Sequence, residues 1–134
     1  MSDEMYREVI LDYYQNPRNK GTIGNPEISA MDYNPLCGDK ITFQINLEAD
    51  GKVAEAKFDG EGCAISQASA SMLTEMVMGK DINDLRKISR TEILESLGNP
   101  ELGPVRIKCA LLSLKVMKVG VYTHLGERID GSGE

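Results

Sequence analysis

Lys40-Ile41-Thr42-Phe43-Gln44-Ile45-Asn46-Leu47 alternates strictly. Ile41, Phe43, Ile45 and Leu47 point one way and Thr42, Gln44 and Asn46 the other, the period of a half-buried strand. Asp50-Gly51 is a preferred two-residue hairpin turn, and Lys52 to Phe58 returns with Ala54, Ala56 and Phe58 on one face. A weaker alternation over Ile28 to Tyr33, ended by Asn34-Pro35, supplies one more strand. The expected sheet is small, three-stranded and antiparallel.

Helical patterns flank it. Residues 3 to 15 place Tyr6, Val9, Ile10 and Tyr13 on one face, with Ser2 as N-cap and Asn16-Pro17 as the stop. Asn16 to Pro26 is rich in breakers and reads as a surface loop that leaves this helix loosely tethered. Beyond the hairpin, Gly60-Glu61-Gly62 breaks the strand and Ser66 can cap a helix to Met78, with Gly79 at C′ and Ile65, Ser69, Met72, Leu73, Met76 and Val77 facing inward. Ala64, Ala68, Ser69, Ala70 and Ser71 are small enough to admit a close neighbour beside Cys63, or equally to serve tight helix packing. Two short helices are predicted over 81–88 and 91–97, the second capped by Thr91 and closed by Gly98. The last begins at Pro104, suited to the first helical position, and runs to about Val119 with Val105, Cys109, Leu112, Val116 and Val119 as its stripe. Gly126 to Glu134 is polar and expected to fray. The fold class is α+β, one domain over residues 1–134 with helices packed mainly on one face of the sheet.

Composition narrows function by exclusion. A chain of 134 residues has core enough to fold without cross-links. Its net charge of −6 argues against nucleic acid, whose binding needs clustered cations. The N-terminus is acidic and no apolar run follows, so neither a signal peptide nor a membrane span is expected and the reading is a cytoplasmic protein. With three cysteines, an odd count, a disulfide framework is not expected, and the thiols are left for metal binding, for catalysis, or as small buried hydrophobes.

Position favours chemistry. Cys37 lies in a turn just before the central strand, Cys63 just after the hairpin, and Cys109 in the first turns of the last helix. An up-and-back hairpin brings the start of one strand beside the end of the next, so Cys37, Asp39 and Cys63 are expected to be neighbours. Three thiolates and the Asp39 carboxylate would complete four donors for Zn²⁺, iron or an iron–sulfur unit. The hard oxygen would hold iron less tenaciously than sulfur does. Lys108 and Arg106, near a helix N-terminus, could stabilise a Cys109 thiolate, although on charge alone the solvated-face reading is the stronger. His124 falls far downstream and is not taken as a ligand. No Cys-x-x-Cys occurs, so spacing by itself is a moderate metal signal.

A resemblance adds to this. Asn16-Pro17-Arg18-Asn19, Cys37-Gly38-Asp39, Gly62-Cys63 followed by Ser66-Gln67-Ala68-Ser69-Ala70-Ser71, and Val105-Arg106-Ile107-Lys108-Cys109 together resemble the iron–sulfur cluster scaffold family, IscU with SufU and the N-terminal domain of NifU. The resemblance spans nearly the whole chain. It implies a scaffold that takes persulfide sulfur from a cysteine desulfurase, assembles a 2Fe-2S cluster with iron and electrons, and passes it to apo-proteins. Cys37, Asp39, Cys63 and Cys109 match the family's ligand positions, and the three cysteines are its persulfide acceptor candidates.

Three departures qualify it. IscU proteins have His before the third cysteine where this chain has Lys108, as SufU does. The insertion that SufU proteins carry between the second and third cysteines is absent. IscU's Leu-Pro-Pro-Val-Lys chaperone motif is here Leu102-Gly103-Pro104-Val105-Arg106, which puts an Hsp70-type chaperone partner in doubt. Family members assemble as monomers, dimers and trimers, so a homo-oligomer is allowed. The alternatives are therefore a SufU-like zinc-dependent sulfurtransferase, with zinc in the protein as purified, and an interaction module in which zinc is a permanent structural staple.

Overall fold

A computed structural model describes residues 3–126, with side chains from Arg7 onward. The Ser2 cap, the Tyr6 side chain and the tail from residue 127 lie outside the described residues. The elements are α1 (Asp3–Gln15), β1 (Ile28–Asn34), β2 (Asp39–Leu47), β3 (Val53–Glu61), α2 (Ala64–Val77), α3 (Ile82–Leu85), α4 (Arg90–Ser96) and α5 (Pro104–His124). The strands form one antiparallel sheet in the order β1-β2-β3, as expected.

Alternation sets the sheet's inner face. Ile41, Phe43 and Ile45 of β2 are buried, and Phe43 stands opposite Phe58 of β3. Leu47, expected beside them, is only half-buried at the strand end. The hairpin departs from the two-residue turn. Glu48 N–H donates to the Lys52 carbonyl at 2.8 Å, which leaves a loop of residues 49–51 with Gly51 at φ +89°. A register shift at Asn46/Leu47 sets Glu55 and then Val53 opposite them, so Ala54 is the extra residue. A bulge of this kind re-aims the strand: Val53 is buried and Ala54 exposed, the reverse of the alternation first read.

Helices α2 and α5 pack on that inner face, α5 over β1 and β2 and α2 over β3, and α1 lies against α2. Their junction is tight because Ser69 Oγ donates to the Ala110 carbonyl at 2.6 Å, so the small residues of α2 serve close packing. Where α5 crosses β1, a Cβ on Gly120 would come within 2.9 Å of Ile28 Cγ2. Gly120 permits that approach, and the helix runs on to His124, five residues past the expected end at Val119. The buried face of α5 holds Cys109, Leu112, Ser113, Val116, Met117 and Gly120, while Val105 and Val119 of the expected stripe are exposed.

Other boundaries move for local reasons. Ser89, not Thr91, caps α4 through a reciprocal box with Glu92. Asp81 caps α3, which is shorter than expected. Gly79 does follow α2, at φ +79°. Gly60 does not break β3, which continues to Glu61, and a Cβ there would collide with the Lys40 carbonyl. The segment after α1 is not a loose tether. Arg18 N–H bonds Ser71 Oγ at 2.8 Å, Gly21 N–H bonds the Phe58 carbonyl at 2.8 Å along the β3 edge, and Ile23 N–H bonds Gln44 Oε1 at 2.7 Å. Arg18 also pairs with Asp12 at 2.7 Å, holding that carboxyl below its ordinary range, and stacks over Tyr13.

Candidate metal centre

The end of the sheet where β2 begins and β3 finishes carries the site. Asn34 and Asp39 close the β1–β2 hairpin as a register pair, and the loop between them holds Cys37. Gly38 sits at φ +70° with nothing within 4 Å of a would-be Cβ, so its role is to turn the chain between thiol and carboxylate. Cys63 is the N-cap of α2, in extended conformation. Cys109 is fully buried on the second turn of α5.

The ligand atoms of Cys37, Asp39 and Cys109 all lie within 4.8 Å of one another, the one such group among the described residues. The Cys109 thiol points at Cys37 Sγ with the sulfurs 2.7 Å apart, and all three cysteines are free. Cys63 stands outside this group of three, yet it is its neighbour: its backbone N–H donates to Asp39 Oδ1 at 2.8 Å. The expected adjacency of Cys37, Asp39 and Cys63 thus resolves into two contacts centred on Asp39.

Asp39 divides its carboxylate. Oδ1 accepts from Cys63 N–H and from Ser66 Oγ at 3.1 Å, which places a negative group at the N-terminus of α2, where the helix dipole favours it. Oδ2 is buried with no partner. An unpaired buried carboxylate oxygen is costly unless a proton or a cation meets it. The Cys37 and Cys109 sulfurs lie within 4.8 Å of an oxygen of this carboxylate, so the soft and hard donors present fit a Zn²⁺ or iron ion. Cys37, Asp39 and Cys109 would hold such an ion, with Cys63 closest at hand to join them.

Electrostatics at Cys109 favour the solvated-face reading of Lys108 and Arg106 over thiolate stabilisation. Burial, first, and then the hydrogen bond to Cys37 and the Asp39 carboxylate close by push its thiol well above the ordinary range, and the nearby negative charge of Cys63 adds to the shift. Lys108 and Arg106 are exposed, so water screens them, whereas Cys109 is sealed in the core. A lowered Cys109 is not what this arrangement produces without a metal.

Two site residues escaped the sequence reading. Asn34 reads in the sequence as a strand stop, but it is buried, its Nδ2 donates to Cys109 Sγ at 3.5 Å, and its Oδ1 accepts from Leu36 N–H at 3.3 Å. Ser66, the helix cap expected from sequence, lies inside α2 and holds Asp39 instead. No local signal in the sequence marks either role, since both depend on cross-chain register. Buried Gln67 stands behind Ser66, and its Oε1 has no partner. His124 lies on the last turn of α5 and belongs to no ligand group among the described residues.

Residues 5–130 match the NifU-like N terminal domain. The chain belongs to that family. Relatives of the NifU-like domain seen here include the zinc-dependent sulfurtransferase SufU of Bacillus subtilis, 42% identical with 92% of this chain and 94% of that protein covered. The iron–sulfur cluster assembly scaffold protein IscU of Escherichia coli is 36% identical, with 92% and 96% covered. The N-terminal NifU-like protein of Brucella abortus superposes with a TM-score of 0.75 at 22% identity over 94% of this chain and 98% of that one, which supports the α+β fold. No helix among the described residues is long and apolar enough to cross a membrane.

Proposed function

We propose that this NifU-like domain is a scaffold for de novo assembly of 2Fe-2S clusters, accepting persulfide sulfur from a cysteine desulfurase and delivering the finished cluster to apo iron–sulfur proteins. The observation that carries it is the convergence of Cys37, Asp39 and Cys109 around a buried carboxylate oxygen left without a partner. The scaffold is a carrier, and the iron and sulfide are its cargo. Cys37, half-buried on the β1–β2 loop where Cys109 is fully buried, is the first sulfur acceptor. Its thiolate attacks the outer sulfur of the desulfurase persulfide, the S–S bond to the desulfurase breaks, and the desulfurase cysteine leaves as thiolate. Two electrons from an external donor then reduce each transferred sulfur to sulfide, which joins iron between the thiolates. Cys63 and Cys109 supply the further sulfur donors, and Asp39 supplies an oxygen ligand that lets the cluster go.

The second reading is a SufU-like zinc-dependent sulfurtransferase. It is favoured by Lys108, which stands where IscU proteins have His, and by the 42% identity to the Bacillus SufU. Anaerobic reconstitution with iron, cysteine and a desulfurase separates the two. A scaffold develops visible charge-transfer absorption with about two irons per cluster. Colourless protein that keeps its zinc while still accepting sulfur would overturn the scaffold reading in favour of the second.

A further inference from the structure

A groove of about 570 Å³ runs along α5, lined mostly by that helix together with Tyr33 and Asn34 at the end of β1 and Arg90 of α4. It begins at Asn34, whose amide touches Cys109 Sγ at 3.5 Å, so one end of the groove abuts the thiol cluster. Along its floor Lys108, Leu111, Lys115, Lys118 and Tyr122 recur at alternating intervals of three and four residues. That is the interval of a helix–helix seam, in which side chains of one helix enter the spaces between those of another. From Lys108 to Tyr122 the seam is about 21 Å long, enough for four turns of a partner helix.

Charge identifies the partner's chemistry. In a chain of net charge −6, this groove gathers four cations, Arg90 at the start of α4 with Lys108, Lys115 and Lys118. One is answered within the fold, Lys115 by Asp32 at 2.9 Å. Among the described residues no ion pair involves the other three. Their apolar company, Ile107, Leu111 and Val119 with the exposed ring of Tyr33, which Lys40 approaches to 5.9 Å, calls for apolar side chains as well as acids. The net charge of −6 disfavours an extended polyanion, and a short segment confined to the groove meets its cations alone.

We infer that this groove is the docking site for an acidic, amphipathic helix on a protein that gives sulfur to, or takes cluster from, the Cys37–Asp39–Cys109 site. What the partner exchanges rests on the scaffold reading; that an acidic helix binds does not. Its apolar stripe lies on Leu111, Val119 and Tyr122, and its flanking carboxylates meet Arg90, Lys108 and Lys118. Docking there sets the partner beside Asn34 without occupying the ligand positions.

The probe is a synthetic four-turn peptide with Leu at seam positions and Glu at flanking positions, dye-labelled and titrated into the metal-free full chain by fluorescence anisotropy. A copy with Lys in place of Glu is the control. The acidic peptide is expected to bind, to weaken as salt is raised, and to lose at least about tenfold in affinity to an Arg90→Glu, Lys118→Glu double variant, with the Lys peptide not binding. Both positions are at the surface, and Glu suits the first turn of α4, so the variant keeps its fold, checked by circular dichroism. Leu111→Ser should weaken binding without a change of charge. Amide chemical-shift changes should map to α5 between Lys108 and Tyr122. Absence of binding by the acidic peptide, equal affinity for the double variant, or shift changes elsewhere would overturn the assignment. Because the titration uses metal-free protein, a colourless reconstitution leaves it intact, and a failed titration leaves the scaffold reading intact.

Discussion

Asp39 Oδ1 accepts the backbone N–H of Cys63 at 2.8 Å while Asp39 Oδ2 stays buried and unpartnered. One carboxylate oxygen is thereby tied to the α2 N-terminus and the other is left free, so a metal bound here would meet a single Asp39 oxygen. Under the scaffold reading that arrangement favours cluster release, since a hard oxygen binds iron more weakly than a fourth thiolate would.

Asp39→Ala is expected to slow cluster transfer by about tenfold, because another donor or a second protomer then closes the site. The check is the transfer rate to an apo-acceptor, followed by visible circular dichroism. A faster rate would remove Asp39 from its assigned role.

Ser66→Ala removes the second donor to Asp39 Oδ1 but leaves the Cys63 amide in place. Stability should fall by about 1 kcal/mol in urea melts. Zinc affinity should fall by about tenfold, as for other residues that orient a metal ligand. Competition with a chromophoric chelator measures it, and unchanged affinity would show that the Cys63 amide alone positions the carboxylate.

Gly62→Ala meets two obstacles. Gly62 has φ +149°, and its new Cβ would collide with Asp39 Oδ1 and lie 2.9 Å from Asp39 Cα. A loss of roughly 3 kcal/mol or more is expected, strain and clash together. Gly38→Ala, at φ +70° in open space, should cost about 1 kcal/mol. Thermal unfolding of the pair tests the order, and equal losses would mean that the Gly62 approach to Asp39 is relieved by relaxation.

The raised Cys109 thiol gives the metal-free protein an alkaline limit. Unfolded, the thiol ionises near its ordinary value of about 8.5. Folded, it keeps its proton to higher pH, so the stabilisation is complete below about 8.5 and declines as pH rises above that value. Urea melts between pH 7 and 10 should show this decline, and Cys109→Ala should flatten it. An equal slope in both proteins would place the alkaline sensitivity elsewhere.

Much of this was legible in the chain itself. Ile41, Phe43 and Ile45 announced β2 by alternation, Pro104 marked the start of α5, and Cys37-Gly38-Asp39 pointed to a ligand set, because each signal is local. Ala54 failed the same test: a bulge is decided by pairing across two strands. Ser89 outcompeted Thr91 because a reciprocal box with Glu92 satisfies two helix-end donors.

The sequence by itself determined the antiparallel sheet, the family and the identity of the candidate donors, since residue periods and motif residues are properties of neighbouring positions. Tertiary structure alone decided how those donors stand. Asp39 pairs with Asn34 and reaches α2, Cys109 is sealed in the core and pushed up rather than activated by Lys108, and Asn34 and Ser66 join the site. Burial and hydrogen-bond geometry arise only when distant segments pack, and the chemistry of a thiol or a carboxylate is set by both.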